Sequence, residues 1–315
     1  MSFKVSIDDQ NGFPIITLTD SVGGAEAEIY AFGGLLNAFR VPVDGSLFNL
    51  VEGFTGREDV IANITHGFKS AKLSPFVCRM FEGKYRLENK DYQVHKHFLN
   101  GHAIHGLVYD GIYTISNQES NDKAASVTLQ YDYKGDDAGY PFPYTLIIEW
   151  KLEAGNKLSV STTASHTNDH AIPMADGWHP YFTLGGSVDE WMIQFDSSTQ
   201  LEYDAALLPS GKKLKDERFI NGASLKAIQL DNSFELDAAK DDAKCVLSND
   251  TLKLIIEPDK SYPLLQLYIP PHRKSIAIEN LSGAPDNFNN GMWRIDLLPN
   301  EKKEFKTSYT AVPTH

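Results

Sequence analysis

The sequence contains few cysteines and no long apolar run, and both shortages limit what the protein can be. Its 315 residues include only two cysteines, Cys78 and Cys245, which lie far apart in the chain. Such a pair indicates neither a disulfide framework nor a thiolate metal site, and it is typical of a reducing compartment. No stretch of about 18 apolar residues occurs, and the amino-terminal segment reaches charged residues before a signal-peptide core could form. We therefore expect a cytoplasmic protein that does not enter a membrane.

Positive charge is scarce as well. The chain carries 29 lysines and arginines against 42 aspartates and glutamates, which gives a net charge of −13. Nucleic acids and anionic membrane surfaces attract basic proteins, so this balance argues against both as partners. A neutral small molecule is the expected ligand, and the sequence leaves both a monomer and a homodimer open.

Short β-prone runs separated by turn residues are abundant, and little of the chain has the periodicity of an amphipathic helix. The clearest runs are 5–7, 15–19, 126–133, 145–152, 158–164, 252–257 and 264–269. Two of them, 126–133 and 158–164, alternate apolar with polar residues, as half-buried antiparallel strands do. The runs 252–257 and 264–269 are more continuously apolar, which favours the interior of two stacked sheets.

The pattern predicts an all-β fold, a large antiparallel sandwich formed by one domain over residues 1–315. A composition of 42% apolar residues is sufficient for a large core. No internal repeat or low-complexity linker divides the chain. The one short helix that we expect lies near residues 46–52.

Three residues carry most of the functional information. His105 lies in the glycine-containing segment 100–106, His179 lies in the aromatic segment 177–182, and Glu279 ends the β-prone run 276–279. Histidine titrates near neutral pH, so two imidazoles and one carboxylate can move protons between the oxygens of a neutral substrate without a cofactor. The alternatives are a core histidine with satisfied hydrogen bonds at 179 and a solvated strand end at 279.

The motifs of the chain also occur in a recognisable order. In sequence they are Ala31–Leu36 with its Gly-Gly turn, Arg79 four residues before Gly83, His105-Gly106, the aromatic segment 139–144, His179 in 179–182, Asp231 in 230–234, and Glu279 before Pro285. Each is weak alone, but their shared order resembles that of the aldose 1-epimerase (galactose mutarotase-like) family along nearly the whole chain.

This resemblance implies a β-supersandwich with an open cleft, which interconverts the α and β anomers of an aldose with no cofactor and no metal. Glu279 would take the proton of the anomeric hydroxyl and His179 would protonate the ring oxygen. His105 would hydrogen-bond the ring or anomeric oxygen as charge develops. Arg79 and Asp231 would hold the sugar hydroxyls. To the substrate-binding set we add Asn100 and Trp178, which belong to the two histidine motifs.

The sequence departs from the commonest pattern of the family at three places. Only one arginine precedes Gly83 where many members have a pair. Leu107 follows Gly106 where many members have a second glycine, and Ile112-Tyr113 stands where a tryptophan is expected. These departures leave the identity of the sugar open.

Three other functions are compatible with the sequence. A hexose-6-phosphate epimerase would need a basic phosphate pocket, which Lys72, Arg79, Lys84 and Arg86 could form. A cupin-like metal site would use His95 and His97, although no acidic residue follows within 98–104. A non-catalytic carbohydrate-binding protein would need only aromatic residues that stack on a sugar, for which Trp178, Tyr181 and Trp293 are candidates.

Overall fold

A computed structural model describes residues 1–240 and 243–314, and strands form most of its regular structure. The strands in chain order are β1 Phe3–Asp8, β2 Ile15–Asp20, β3 Glu26–Tyr30, β4 Leu36–Val43, β5 Ser46–Asn49, β6 Ala71–Leu73, β7 Arg79–Met80, β8 Lys84–Leu87, β9 Lys90–Gln93, β10 Phe98–Leu99, β11 His102–Ile104, β12 Thr114–Ser120, β13 Ala124–Tyr133, β14 Tyr144–Glu153, β15 Lys157–Ser165, β16 Ile172–Met174, β17 Gly177–His179, β18 Tyr181–Phe182, β19 Met192–Phe195, β20 Thr199–Tyr203, β21 Pro209–Lys215, β22 Ala223–Ser224, β23 Asp231–Glu235, β24 Cys245–Ser248, β25 Leu252–Pro258, β26 Leu264–Tyr268, β27 Ile276–Leu281, β28 Ile295–Leu297 and β29 Lys302–Pro313. The helices are α1 Arg57–Asn63 and α2 Asn287–Asn290, and single 3-10 turns occur at Phe81–Gly83 and Val188–Glu190.

Two large antiparallel sheets form the sandwich. The nine-stranded sheet has the order β12-β13-β14-β15-β29-β25-β24-β19-β22, and the eight-stranded sheet has the order β21-β20-β23-β26-β27-β17-β6 with β18 added beside β27. Trp150 of β14 and Trp178 of β17 pack across the interface at 5.2 Å between ring centroids. A five-stranded sheet, β1 to β5, packs against the nine-stranded one. The predicted all-β sandwich is confirmed.

The burial of the strands follows most of the predicted patterns. Strands β13 and β15 alternate between buried and half-exposed positions, and four of the five residues of β26 are buried. The expectation for 252–257 was wrong. Strand β25 buries Leu252 and Leu254 but exposes Lys253, because one face of the nine-stranded sheet is open to solvent.

The helix expected near residues 46–52 was also wrong. Strand β5 lies there, and it pairs with β4 through a hairpin whose two central residues, Asp44 and Gly45, have φ values of 48° and 76°. An Asp-Gly pair with positive φ at both residues forms the type I′ turn that joins two strands tightly. The helix of this region, α1, begins at Arg57 instead.

Two further properties bear on the expectations from composition. No helix within residues 1–240 and 243–314 is long and apolar enough to cross a membrane. Both cysteines are free thiols and both are buried.

Candidate active site

One wall of a cavity of about 290 Å³ is formed by neighbouring strands of the eight-stranded sheet. Glu279 of β27 lies opposite Gln266 of β26, and Asp231 of β23 lies opposite Tyr268 of β26. Alternate residues of a strand face the same side of a sheet, so these four side chains share one face. All four line the cavity.

His179 reaches the same cavity from the next strand, β17. Close approach of β17 to β27 depends on Gly177, because a Cβ at that position would lie 2.7 Å from Leu281 Cδ2 and 3.1 Å from the Asn280 carbonyl oxygen. The imidazole of His179 stacks against the ring of Tyr181 at a centroid distance of 5.1 Å. Its orientation is therefore fixed by an aromatic neighbour that also lines the cavity.

His105, Arg79 and Cys78 line the same cavity from other elements of the chain. Arg79 of β7 pairs with Ile104 of β11, and the His105 amide donates to the Cys78 carbonyl oxygen at 2.9 Å. Gly106 is required at the next position, because a Cβ there would lie 2.2 Å from the carbonyl oxygen of Ser74. The His-Gly motif thus brings His105 into the cavity by letting the backbone pass close to a neighbouring loop.

The central feature of the site is a buried contact between His179 and Glu279. Nε2 of His179 lies 3.3 Å from Oε1 of Glu279, and the two side chains are 6% and 3% exposed. The second carboxylate oxygen of Glu279 and Nδ1 of His179 have no hydrogen-bond partner among the described residues. Neither alternative from the sequence applies, since Glu279 is not solvated and His179 is not a satisfied core histidine.

Burial governs the protonation of this pair. It raises the pKa of Glu279 well above the ordinary carboxyl value, with a further increase from the charge of Asp231 and a smaller decrease from Arg79. It lowers the pKa of His179 to about 4. Burial disfavours both charges, so it favours an uncharged carboxylic acid beside a neutral imidazole.

His105 completes the acid/base group. Its ring lies edge-on to that of His179 at 4.9 Å and against Phe68 at 4.7 Å. Burial, with smaller effects from the charges of His179 and Arg79, lowers the pKa of His105 well below the usual imidazole value. Its Nδ1 is unpartnered among the described residues. A neutral imidazole in this position can offer one donor and one acceptor to a polar substrate.

A hydrogen-bond chain positions Asp231. Tyr203 and Ser233 share a hydrogen bond, Ser233 Oγ donates to Gln266 Oε1 at 2.6 Å, and Gln266 Nε2 donates to Asp231 Oδ1 at 2.9 Å. Burial raises the pKa of Asp231, while the charge of Arg79 and the bond from Gln266 lower it. The carboxylate keeps one oxygen, Oδ2, outside this chain.

The structure brings together five of the seven predicted site residues. These are Glu279, His179, His105, Arg79 and Asp231, all of which line the cavity. Asn100 lies exposed in the turn between β10 and β11, outside the cavity lining. Trp178 is 2% exposed and packs in the core, so it does not present its ring to the cavity.

The residues of the phosphate and metal hypotheses are not brought together as sets, although Arg79 and His97 both line the cavity. Lys72 is fully buried and paired with Asp176, while Lys84 and Arg86 are exposed on β8, so only Arg79 of the proposed phosphate set lines the cavity. His95 is 65% exposed and lies near Asp137. The His95 and His97 pair belongs to no group of three metal ligands in the part of the chain that the structure describes.

Several cavity residues were missed by the sequence reasoning. Gln266 left a detectable signal, because it is an amide within the apolar run 264–269. Phe68, Tyr203 and Cys78 left none, since only the folded chain brings them beside the two histidines. Cys78 matters most, because a thiol, an imidazole and a carboxylate from Cys78, His105 and Glu279 offer potential metal-ligand atoms within 4.8 Å of one another.

Comparison with known proteins places these residues in a family. Residues 14–310 match the family model of aldose 1-epimerases. An uncharacterised protein of Escherichia coli, YihR, is 27% identical over 234 residues, which cover 72% of this chain and 72% of that protein. An aldose 1-epimerase of Streptococcus thermophilus is 25% identical over 218 residues, which cover 67% of this chain and 58% of that protein.

A solved structure gives the same result for the fold. The crystal structure of galactose 1-epimerase from Lactobacillus acidophilus aligns over the full length of both chains with a TM-score of 0.84. The sequence identity is 20%, so the likeness describes the fold rather than the substrate.

Proposed function

The chain belongs to the aldose 1-epimerase family, and we propose that it interconverts the α and β anomers of an unphosphorylated aldose by acid/base opening and closure of the ring. The observation that carries the proposal is the buried contact between His179 and Glu279 at the wall of a cavity of about 290 Å³. Buried polar groups are usually hydrogen-bonded, and groups left without partners at a cavity are candidates for contacts with a substrate.

The reaction needs two proton transfers at neighbouring oxygens. A base removes the proton of the anomeric hydroxyl while an acid protonates the ring oxygen, and the resulting aldehyde rotates before the ring closes. Glu279 is the base and His179 the acid. His105, whose ring contacts that of His179, donates a hydrogen bond to the oxygen on which charge develops. Arg79 and Asp231 bind the remaining hydroxyls.

The pair performs these roles when Glu279 is ionised and His179 is protonated. Burial by itself favours the proton on Glu279, since it raises the pKa of the carboxyl and lowers that of the imidazole. A sugar hydroxyl that donates to Glu279 stabilises the carboxylate, and the positive charge of Arg79 acts in the same direction. Substrate binding therefore shifts the proton to His179, across the 3.3 Å contact.

The cavity favours a neutral sugar over a sugar phosphate. Among the described residues that line it, Arg79 carries the one fixed positive charge, and the carboxyl groups of Asp231 and Glu279 line the same cavity. A phosphate dianion needs several charge-assisted donors, which this lining does not supply. Hydroxyl groups, in contrast, can donate to both carboxyl groups and accept from Arg79.

The proposal is tested by following freshly dissolved α-glucose and α-galactose to anomeric equilibrium by polarimetry. The wild-type protein should accelerate the approach for at least one of them, and Glu279→Gln at the same concentration should not. The position of equilibrium should stay unchanged, because a catalyst alters only the rate. Binding of the sugars without any acceleration would contradict the proposal and favour a non-catalytic carbohydrate-binding protein.

A further inference from the structure

Cys78 has no role in the proton transfers described above, yet its thiol lies among the reacting groups. The Cys78 sulfur, a ring nitrogen of His105 and a carboxylate oxygen of Glu279 all lie within 4.8 Å of one another. Cys78 is 7% exposed, His105 is 7% exposed and Glu279 is 2% exposed. Three different ligand types therefore converge at one point of the cavity wall.

Two of the three groups also have atoms that no other residue uses. Nδ1 of His105 and Oε2 of Glu279 are buried without a hydrogen-bond partner among the described residues. Such atoms usually have a partner, which can be protein, water or a bound ion. The unpartnered atoms are an observation separate from the clustering of the three side chains, and both point to a ligand at this position.

The chemistry of the group suits a borderline-soft divalent cation. Zinc is bound by thiolate, imidazole and carboxylate ligands, with metal-to-ligand distances of about 2.0–2.3 Å and a tetrahedral geometry. In that geometry ligand atoms lie about 3.4–3.6 Å apart. Since the atoms here lie within 4.8 Å of one another, the most distant pair would have to approach by at most about 1.4 Å. Side-chain rotation can provide a movement of this size.

Two charged side chains near this position have opposite effects on a bound cation. The carboxyl group of Asp231 lies near enough to influence the protonation of both Cys78 and Glu279 and would attract a cation, while Arg79 would repel it. A thiolate and a carboxylate buried side by side without a cation would be costly. A bound divalent metal neutralises both charges together.

We propose that Cys78, His105 and Glu279 form an inhibitory binding site for Zn²⁺ and cations of similar softness. The inhibition rests on the proposed function, because the metal would occupy the base Glu279 and the hydrogen-bond donor His105. On binding, a Zn–S bond forms, the S–H bond of Cys78 breaks and its proton goes to solvent; a proton on Glu279 leaves in the same way. A water molecule completes the four ligands, and a chelator reverses the reaction.

The test uses Co²⁺ as a spectroscopic substitute for Zn²⁺, with the full-length protein first stripped by a chelator. The wild-type protein should bind Co²⁺ with a thiolate-to-metal charge-transfer band in the near ultraviolet, and added Zn²⁺ should abolish that band. Cys78→Ser and Cys78→Ala should lack the band. Cys245→Ser is the matched control, because Cys245 is the other buried free thiol and does not line the cavity. It should retain the band.

Inhibition is measured on the same four proteins. Zn²⁺ should slow anomer interconversion by the wild-type protein and by Cys245→Ser, and a chelator should restore both. Cys78→Ser and Cys78→Ala, each compared with its own rate without metal, should need at least about tenfold more Zn²⁺ for the same inhibition, since even outer-shell changes weaken metal sites by that factor.

The outcomes separate this inference from the proposed function. A charge-transfer band that persists in both Cys78 variants, or equal zinc sensitivity of the variants and the wild type, overturns the metal site. A band that depends on Cys78 in a protein without epimerase activity supports the metal site and overturns the proposed function. Epimerase activity without a charge-transfer band and without zinc inhibition supports the proposed function and overturns the metal site.

Discussion

Two buried pairs of ionisable side chains lie on either side of Trp178, and they differ in how their polar atoms are used. Lys72 and Asp176 are both fully buried at a distance of 2.5 Å, on the core side of the tryptophan. His179 and Glu279 are nearly as buried at 3.3 Å, on the cavity side. Lys72 Nζ also lies 4.3 Å from the centre of the Trp178 ring. Asp176, which precedes β17, belongs to the core pair, and His179, which ends β17, belongs to the cavity pair.

The core pair is held by partners from several elements. Lys72 Nζ donates to Thr162 Oγ1 at 3.1 Å, and the Tyr262 hydroxyl donates to Asp176 Oδ1 at 2.7 Å. One atom of this pair, Asp176 Oδ2, lacks a partner among the described residues, whereas the cavity group of His105, His179 and Glu279 leaves three. A network with most of its bonds formed stabilises one structure, and one with unused atoms at a cavity is suited to bind something else.

The two pairs also differ in where burial places the proton. Burial lowers the pKa of Lys72 to about 8, against an opposing effect of Asp176, so the lysine keeps its charge at neutral pH. Burial also raises the pKa of Asp176, against the opposing effects of Lys72 and Tyr262. Ordinary lysine and aspartate differ by about 6 pKa units, but histidine and glutamate by only about 2. Burial therefore has a smaller pKa difference to overcome in the histidine–glutamate pair before the uncharged forms are favoured. A histidine paired with a glutamate is therefore the combination that a substrate can switch.

The largest expected effect concerns the cavity pair. Glu279→Gln and His179→Asn should each reduce the rate of anomer interconversion by about 10²–10⁴-fold, because each removes a general acid or base. Sugar binding and the fold should remain largely intact. Polarimetry gives the rate, and calorimetric titration with the sugar gives the binding.

The double variant sharpens this result. Since the two groups act in one step, Glu279→Gln/His179→Asn should be scarcely slower than the worse single variant. His105→Asn should reduce the rate by about 10²–10³-fold, as expected for loss of one donor to a developing charge. A rate close to that of the wild type in Glu279→Gln would refute the assignment of roles.

The core pair should show the opposite behaviour, with a large loss of stability and little loss of activity. Lys72→Met leaves the carboxylate of Asp176 buried without its cation, which typically costs about 3–5 kcal/mol in the free energy of unfolding. Urea denaturation measures that loss, and the rate per folded molecule should stay close to the wild-type rate.

A second substitution distinguishes charge from packing in this pair. Lys72→Met/Asp176→Asn should recover part of the lost stability, because no unpaired charge remains in the core. If Lys72→Met were instead stable but inactive, Lys72 would belong to the reaction and the contrast between the two pairs would fail.

A smaller effect is expected on the pH dependence of stability. The pKa of Glu279 is raised in the folded state, so its contribution to stability is present at low pH and is lost as the pH rises through that raised value. Glu279→Gln removes this loss. The difference in melting temperature between the variant and the wild type should therefore grow in favour of the variant as the pH rises from the ordinary glutamate pKa of about 4.3 to above the raised value. A difference independent of pH would show that the carboxyl group is not desolvated.

The sequence contained more of the site than our interpretation extracted. Successive residues of a strand face opposite sides of a sheet, so Trp178 must face the core once His179 faces the cavity. The motif Gly177-Trp-His179 already implied this outcome. The turn at Asp44-Gly45 was likewise readable as a hairpin, which would have replaced the expected helix with β5.

Other features depend on pairings that one sequence does not reveal. Gln266 lies opposite Glu279 because β26 and β27 are neighbours in a particular register. The approach of Cys78 to Glu279 depends on the packing of two separate sheets across the cavity. Period-two patterns predict that a strand exists and which residues share a face, but they leave its neighbours undetermined.

The smallest effect is expected from a substitution at His102, the first residue of β11, which lies three residues before His105. His102 is half-buried, accepts a hydrogen bond from the Glu82 amide at 3.1 Å through Nδ1, and is not part of the cavity lining. In His102→Asn the side-chain oxygen can accept the same bond, so stability should change by less than about 0.5 kcal/mol, as for most surface substitutions. The rate of interconversion should remain that of the wild type. Because His102→Asn and His105→Asn make the same chemical change within one segment of four residues, equal damage from both would show that this segment acts through its structure. A large difference between them would assign the effect to the imidazole that faces His179.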